Sequence, residues 1–390
     1  MSDELLEELL AKPVGPAIPT RKSKVEDFTK EVSISGSTAE VELKDDGNVN
    51  EGTALDFLVK EGQHPDDWEV THFRRIEYGQ GLTSVRFSFK RVGNHSALRE
   101  QNIDELLASI EDYQPVSVRP QGDHGFLVLI GDMQFGKIDG DGPAGTVART
   151  IRAINEAADR LERYRLLFDI GHVHIAWLGD HIEGFVSQGG ANVWRTPLTL
   201  TEQIRLTRRV MLHALKVFSP LAERVTMAAV PGNHGEPVRF QGTGTTRYDD
   251  SHDTESLIAV KDTADTFPEA FGHVEFYVPD TDELIVMVDV AGTIIAHHHG
   301  HKWRPGKQFD WWEGQAFNRD SAMHVADLLV AGHLHHEHFE TNGSRDYWGI
   351  NALESESTWF RHARGIGGAP GIHVGITKGG HTTVRESIKL

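Results

Sequence analysis

The chain contains no cysteine, which removes disulfides and thiolate metal sites together. Any metal must then be held by imidazole, carboxylate, amide or water. No apolar run approaches the ~20 residues needed to span a bilayer, and the opening MSDELLEELLAK is acidic where a secretory signal is basic. No membrane partner is expected, and the expected location is cytoplasmic. Positive charge is scarce as well: 39 Lys and Arg stand against 58 Asp and Glu, a net charge of -19. Such a chain repels polyanions unless bases gather locally. A GxxxxGK[ST] phosphate loop is missing, which disfavours an NTPase. What is abundant is histidine: there are 23, several of them clustered in HHHGH and GHLHHEH.

At 390 residues the chain exceeds the roughly 250–300 at which one core stops growing, so two unequal parts are expected. Residues 1–50 combine an acidic start, the Pro-interrupted KPVGPAIPT and the polar KDDGNVNEG. They read as a mobile leader with one short helix. Residues 51–95 read as a small α+β module, with a helix over TALDFLVKEG and two strands in EVTHFRRIEYGQGLTSVRFSFKRV joined at Gly79-Gln80-Gly81. In the second strand Val85, Phe87 and Phe89 alternate with Arg86, Ser88 and Lys90, giving one apolar and one basic face. Residues 96–120 read as a helical linker ending in Pro115 and Pro120.

From residue 121 to 390 the pattern is that of an α/β domain. Apolar runs end repeatedly in Gly, Asp, Asn or His: FLVLIGD, HIAWLGD, VTMAAVPGNH, GTIIAHHHGH and ADLLVAGHLH. Helical patterns such as VARTIRAINEAADRLERYR lie between several of them. Strands that are apolar throughout imply a sheet covered on both faces, with chemistry collecting at the strand ends. A closing hairpin is expected over GIHVGITKGGHTTVRESI, turning at Lys378-Gly379-Gly380.

Five strand ends carry metal-ligand side chains: Asp132 with Gln134, Asp180, Asn233 with His234, His299 with His301, and His333 with His335. Their agreement in position suits a hydrolytic site with two metals about 3.5 to 4 Å apart, one carboxylate bridging them. The order GDMQFG, GDHIE, GNHGE, HHHGH, GHLH resembles that of the calcineurin-like metallophosphoesterase superfamily over roughly residues 126–340. The resemblance implies a two-sheet β-sandwich flanked by helices. It implies two divalent ions, Mn²⁺ first and Fe²⁺ or Zn²⁺ as alternatives. Asp132, Gln134, Asp180 and His335 would hold the first, and Asp180, Asn233, His299 and His333 the second. His234 would contact a phosphate oxygen and assist the leaving group. In-line attack on phosphorus by a hydroxide bridging the ions, with no covalent intermediate, is the chemistry implied.

Three departures from the family pattern matter. Gln134 stands where the family has histidine, and an amide oxygen binds more weakly than imidazole. Gly235 separates His234 from Glu236, where the family has the acid directly after the histidine. His297, His298, His299 and His301 compete for one ligand role, and His299 is chosen because it precedes Gly300. His172, His174, His181, His336 and His338 read as ordinary hydrogen-bonded residues. The pair His252-Asp253 suggests the helical HD phosphohydrolases, which the strand-rich surroundings disfavour. The zinc β-lactamase fold needs an HxHxDH run that is missing.

For substrate, Lys302, Trp303 and Arg304 follow the histidine cluster and offer cations for phosphate with a flat surface for a base. Together with Arg74, Arg75, Arg86, Lys90 and Arg91 they make two local basic patches. The leading expectation is a phosphodiesterase acting on DNA or RNA. It would resemble the nuclease subunits of double-strand-break repair complexes and phosphoesterases encoded by bacteriophages. The alternatives are a phosphatase or cyclic-nucleotide phosphodiesterase, and a non-catalytic scaffold with a decayed first site. Oligomeric state is not legible.

Overall fold

Val32 and Ile34, then Ala39, Val41 and Leu43, alternate with polar residues, and both runs form strands: β1 (Lys30–Ser35) and β2 (Thr38–Lys44). The computed structural model describes residues 30–35, 38–44, 49–60, 68–78, 82–91, 119–185, 196–237, 247–357, 362, 365 and 368–390. Two units, Met1–Gln101 and Asn102–Leu390, divide the chain.

In the first unit the leader reading of residues 1–50 is corrected from Lys30 onward. β2 pairs with β4 (Leu82–Arg91), Val41 opposite Phe87. Ala39, Val41 and Leu43 are thereby buried. The polar composition hid a period of two. β1, β2, β4 and β3 (Trp68–Tyr78) form an antiparallel sheet in that order. Helix α1 (Glu51–Lys60) sets Ala54 and Leu58 into a core with Trp68, Val85, Phe87 and Phe89. Arg86 is committed to the buried Glu42, its Nε donating at 2.8 Å, whereas Arg74, Arg75 and Lys90 are exposed. Residues 1–29, the Gly79-Gln80-Gly81 connection and the linker up to 118 lie outside the described residues.

The second unit opens on β5 (His124–Ile130), helix α2 (Gly142–Tyr164) and β6 (Ile170–Trp177). Helix α3 (Leu200–Phe218), β7 (Arg224–Ala229), helix α4 (His252–Asp265), the short α5 (Pro268–Phe271) and β8 (Val274–Tyr277) follow. Next come β9 (Val286–Val290), β10 (Thr293–His298), helix α6 (Gln308–Phe317) and β11 (Leu328–Ala331). The last strands are β12 (His338–Asn342), β13 (Arg345–Gly349), β14 (Gly371–Lys378) and β15 (His381–Lys389). One sheet has the order β15-β14-β5-β6-β7-β8 and the other β12-β13-β11-β10-β9.

β5 shows why these strands are apolar throughout. Phe126, Val128 and Ile130 face a core shared with α2, α3 and α4, while Leu127 and Leu129 pack against Val288, Ile295 and Val330 of the second sheet. Each is fully buried, and complete burial of such a side chain is worth about 1.5–3 kcal/mol. The outer face of the second sheet is covered in turn: Ala296, Leu329 and Tyr347 pack on Trp303 and Trp312. The unit is therefore a two-sheet sandwich flanked by helices. α2 buries Val147, Thr150, Ile154, Ala157 and Leu161 at three- and four-residue spacing. β14 and β15 form the closing hairpin, with Gly379 and Gly380 at positive φ. Among the described residues no helix is long and apolar enough to cross a membrane.

Candidate metal centre

β5, β6 and β7 run parallel in one sheet, and β10 and β11 in the other. The predicted ligands lie just past the carboxyl ends of these five strands. There the backbone is unusual. Seven non-glycine residues among those described have positive φ, and five of them are Asp132, Gln134, Asp180, His333 and His335. Left-handed backbone at a non-glycine residue costs about 1–3 kcal/mol and gathers at functional sites.

Each aspartate divides its oxygens between two tasks. Asp132 Oδ2 accepts from the His333 amide at 2.8 Å, and Asp180 Oδ1 accepts from the His234 amide at 2.8 Å. These bonds tie the loop after β5 to that after β11, and the loop after β6 to that after β7. They also explain the glycines of GNH and GHLH. A Cβ on Gly232 would lie 2.1 Å from Asp180 Oδ1, and one on Gly332 would lie 2.5 Å from Asp132 Oδ2. The second oxygen of each carboxylate points into the centre.

Around Asp180 Oδ2 the donors converge. His299 Nε2 is 2.9 Å away, and His333 Nδ1 is 3.3 Å from His299 Nε2. Ligand atoms of Asp180, His299 and His333 all lie within 4.8 Å of one another. His299 Nδ1 donates to the Leu178 carbonyl at 2.7 Å, which aims Nε2 inward. Asn233 Oδ1 is buried with no hydrogen-bond partner. One carboxylate, one amide oxygen and two imidazoles without sulfur fit a divalent cation, and the unsatisfied Asn233 oxygen is what such an ion would occupy.

The other end is built differently. His335 Nε2 lies 3.3 Å from Asp132 Oδ1, and His335 Nδ1 is held by Glu354 Oε1 at 2.7 Å. Gln134 Oε1, however, accepts from Lys137 Nζ at 2.9 Å, and Lys137 also pairs with Glu354. The amide nitrogen of Gln134 is left 3.5 Å from His335 Nε2. Asp132 and His335 thus bring a carboxylate oxygen and an imidazole nitrogen together, whereas Gln134 turns its amide nitrogen, not its oxygen, toward them.

Electrostatics follow the partners. Burial works against a charged His299, but Asp180 and then Asp132 outweigh it and raise the imidazole to about 9. Burial likewise opposes His335, and Asp132 with Glu354 lifts it to about 10. His333 is depressed to about 4 by burial and by His299 beside it. His234, at the edge of the centre, is raised to about 9 against its burial by Asp180 and Glu183. Its Nδ1 lies 3.0 Å from the Glu183 carbonyl and its Nε2 3.8 Å from Asp180 Oδ2.

The four clustered histidines, two at the end of β10 and two just past it, take different surroundings. His297 points between the sheets to His174 Nε2 at 2.7 Å, and His298 is buried against Trp303 and Trp311. His301 is half-buried with ring centroids 5.4 Å from His299; His299 is the one that meets Asp180. Trp303 requires a correction. It is 7% exposed and packs into the core beneath α6, so it offers no face to a base. Lys302 and Arg304 are exposed, Lys302 with its ammonium 4.7 Å above the Tyr248 ring.

Sequence reasoning missed four supporting residues. Fully buried Asp253 accepts from the amides of Asp180 (3.0 Å), Gly232 (2.9 Å) and His181 (3.0 Å), so it holds the loops after β6 and β7 together. The acid beside His234 is Glu183, from GDHIE, 3.3 Å from its Nδ1. Glu354 and Lys137 carried no local signal.

No protein-family model matches the chain, and no curated protein matches it. Among solved structures it is similar to a novel archaeal phosphodiesterase, at 13% identity over 68% of this chain and 99% of that one, with a TM-score of 0.31. A predicted phosphoesterase from Streptococcus pneumoniae TIGR4 is similar at 11% identity, covering 68% and 98%, with a TM-score of 0.26. Wild-type Vps29 in complex with zinc, from Entamoeba histolytica, is similar at 12% identity, covering 68% and 98%, with a TM-score of 0.30. At such identities the chemistry of this chain has to be read from its own side chains.

Proposed function

We propose that this chain is a divalent-metal-dependent phosphoester hydrolase of the calcineurin-like type, with nucleic acid as its substrate. The observation that carries the reading is the meeting of Asp180, His299 and His333, within 4.8 Å, beside the unsatisfied Asn233 oxygen. These side chains come from loops after four different strands, in the order of motifs that the superfamily uses. Asp180, Asn233, His299 and His333 would hold the ion. When bound, it would supply Lewis acidity toward phosphorus and lower the pKa of water.

The chain's own groups supply the rest. Glu183 fixes Nδ1 of His234, leaving Nε2 to contact a phosphoryl oxygen and the leaving group. Lys302 and Arg304, both exposed beyond β10, would bind the phosphates that flank the scissile one. Exposed Arg74, Arg75 and Lys90 of the first unit are further bases on an otherwise acidic chain. Burial of Trp303 removes a stacking platform that a single-strand nuclease would use. That favours, as a second reading, a small phosphomonoester or cyclic nucleotide.

The test is hydrolysis of bis(p-nitrophenyl) phosphate, p-nitrophenyl phosphate and single-stranded or linear duplex DNA by the Mn²⁺-loaded chain. Asp180→Asn should lower the rate about 10³-fold, the several kcal/mol of transition-state charge stabilisation that a metal supplies. Cleavage of no ester at all sinks the proposal. Hydrolysis of the monoester with DNA left intact replaces the first reading with the second.

A further inference from the structure

Resting on the metal-dependent reading above, we infer that Lys137 is a built-in cation at the Asp132–His335 end of the centre. The chain would then hold one tightly bound divalent ion, at Asp180, Asn233, His299 and His333, where the related motif order implies two. The argument begins with the orientation of Gln134. An amide can be turned end for end without changing its shape, and its partners decide which end is which. An ammonium only donates, so the Gln134 atom 2.9 Å from Lys137 Nζ is the oxygen. The end facing His335 Nε2 at 3.5 Å is therefore NH₂, which has no lone pair for a metal. To ligate an ion held by Asp132 and His335, the amide would have to turn over and aim its NH₂ at the ammonium, donor against donor.

The lysine is not a passing surface group. It lies three residues past Gln134 in a tight turn closed by its own amide on the Gln134 carbonyl at 3.0 Å, and its side chain is 13% exposed. A buried ammonium is retained only where it is paired, and Glu354, itself 5% exposed, pairs with it. Glu354 cannot serve as a substitute ligand, because its other oxygen is held by His335 Nδ1 at 2.7 Å. The place of one divalent ion is thus served by a fixed single charge, and a cation entering there meets Lys137 and finds only Asp132 and His335 as ligands of its own, besides the Asp180 carboxylate it would share with the other site. The other end has no such occupant. Asn233 Oδ1 has no hydrogen-bond partner, and among the described side chains Asp180 meets the imidazoles of His234 and His299 but no lysine or arginine.

The test counts ions. The intact chain is equilibrated with excess Mn²⁺, desalted, and analysed for metal per chain by mass spectrometry and by electron paramagnetic resonance. One Mn²⁺ per chain with the six-line signal of an isolated ion is expected, and His299→Ala should reduce it to none. Gln134→His combined with Lys137→Met should hold two, with a spin-coupled signal. Two ions in the unaltered chain overturn the inference while leaving the metal-dependent reading intact. No ion at all overturns both. One ion that survives His299→Ala but is lost in His335→Ala refutes its placement. A folded double variant that still holds one refutes Lys137 as the excluding group. If circular dichroism shows the double variant unfolded, Lys137→Met alone must raise the content above one or the inference fails.

Discussion

His174 and His299 are both fully buried, and they are driven in opposite directions. His174 faces the Thr226 hydroxyl at 2.7 Å and another imidazole, His297, at 2.7 Å. With only neutral partners, burial holds it well below its ordinary pKa. His299 has Asp180 at 2.9 Å and Asp132 at 4.0 Å, and the carboxylates overcome the same burial and raise it to about 9. The partner, not the depth, sets the charge. One sandwich therefore carries two kinds of histidine: those at the strand ends that meet carboxylates, and those between strands that stay neutral as hydrogen-bonded core. The first kind lies where a cation can be held, together with His333, which burial and His299 keep at about 4, and the second is packing.

The largest effect expected comes from removing what holds the carboxylate end in place. Asp253 accepts three buried backbone amides; hydrogen bonds to a charged acceptor are worth about 1.5–3 kcal/mol each, and orphaned buried donors cost more. Asp253→Ala should lower unfolding free energy by on the order of 4 kcal/mol, measured in urea with EDTA present. The milder Asp253→Asn keeps the shape but turns a donor toward amides that themselves donate. It should weaken Mn²⁺ binding about 10–100-fold, as loss of a supporting partner does elsewhere, while leaving the chain folded. If titration calorimetry finds the affinity of Asp253→Asn unchanged, the strand-end set does not depend on that scaffold.

The neutral set is tested by acid. Burial pushes His172 down to about 4 and His373 down to about 3, in each case as the leading cause. The unfolded chain binds these protons near pH 6.5 and the folded chain does not. Stability is therefore fully present above about pH 6.5 and is lost as pH falls toward those folded values. Each group contributes a slope of about 1.4 kcal/mol per pH unit in that window. His373→Gln should flatten the slope between pH 6 and 4 by about that amount in metal-free urea titrations. An unchanged slope would mean that His373 is protonated in the fold and belongs with the other kind.

What could be read from the sequence, and what could not, divides along the same line. Asp132, Asp180, Asn233, His299 and His333 each follow a run of apolar residues, so strand, turn and candidate ligand were adjacent in the chain and legible together. Asp253 acts on Asp180 across 73 positions, and Glu354 reaches His335 from another loop; neither has a local pattern. Trp303 was misread because a cation–aromatic–cation run has the composition of a binding surface, and only the covering of the second sheet shows the ring turned inward. Strands β1 and β2 were missed because their short apolar alternation is broken by charges, and its buried partners, Val85, Phe87 and Phe89, lie on another strand.

The smallest effect expected is also the one that asks whether the two histidine sets are independent. Thr226 Oγ1 lies 2.9 Å from His172 Nε2 and 2.7 Å from His174 Nδ1. A hydroxyl has one proton, so it donates to one ring and accepts from the other, coupling their tautomers. Thr226→Val preserves the shape and leaves both nitrogens without that partner, at a cost of roughly 1–2 kcal/mol. The relay continues from His174 to His297, whose Nδ1 lies 3.0 Å from the Val286 carbonyl, and His297 stands two residues before His299 on the same chain. If the sets are separate, Thr226→Val loses this stability with metal content and rate unchanged, since sites without shared partners add. A fall in metal content in the folded variant would mean that the neutral relay helps hold β10 in register, and that its histidines are part of the centre after all.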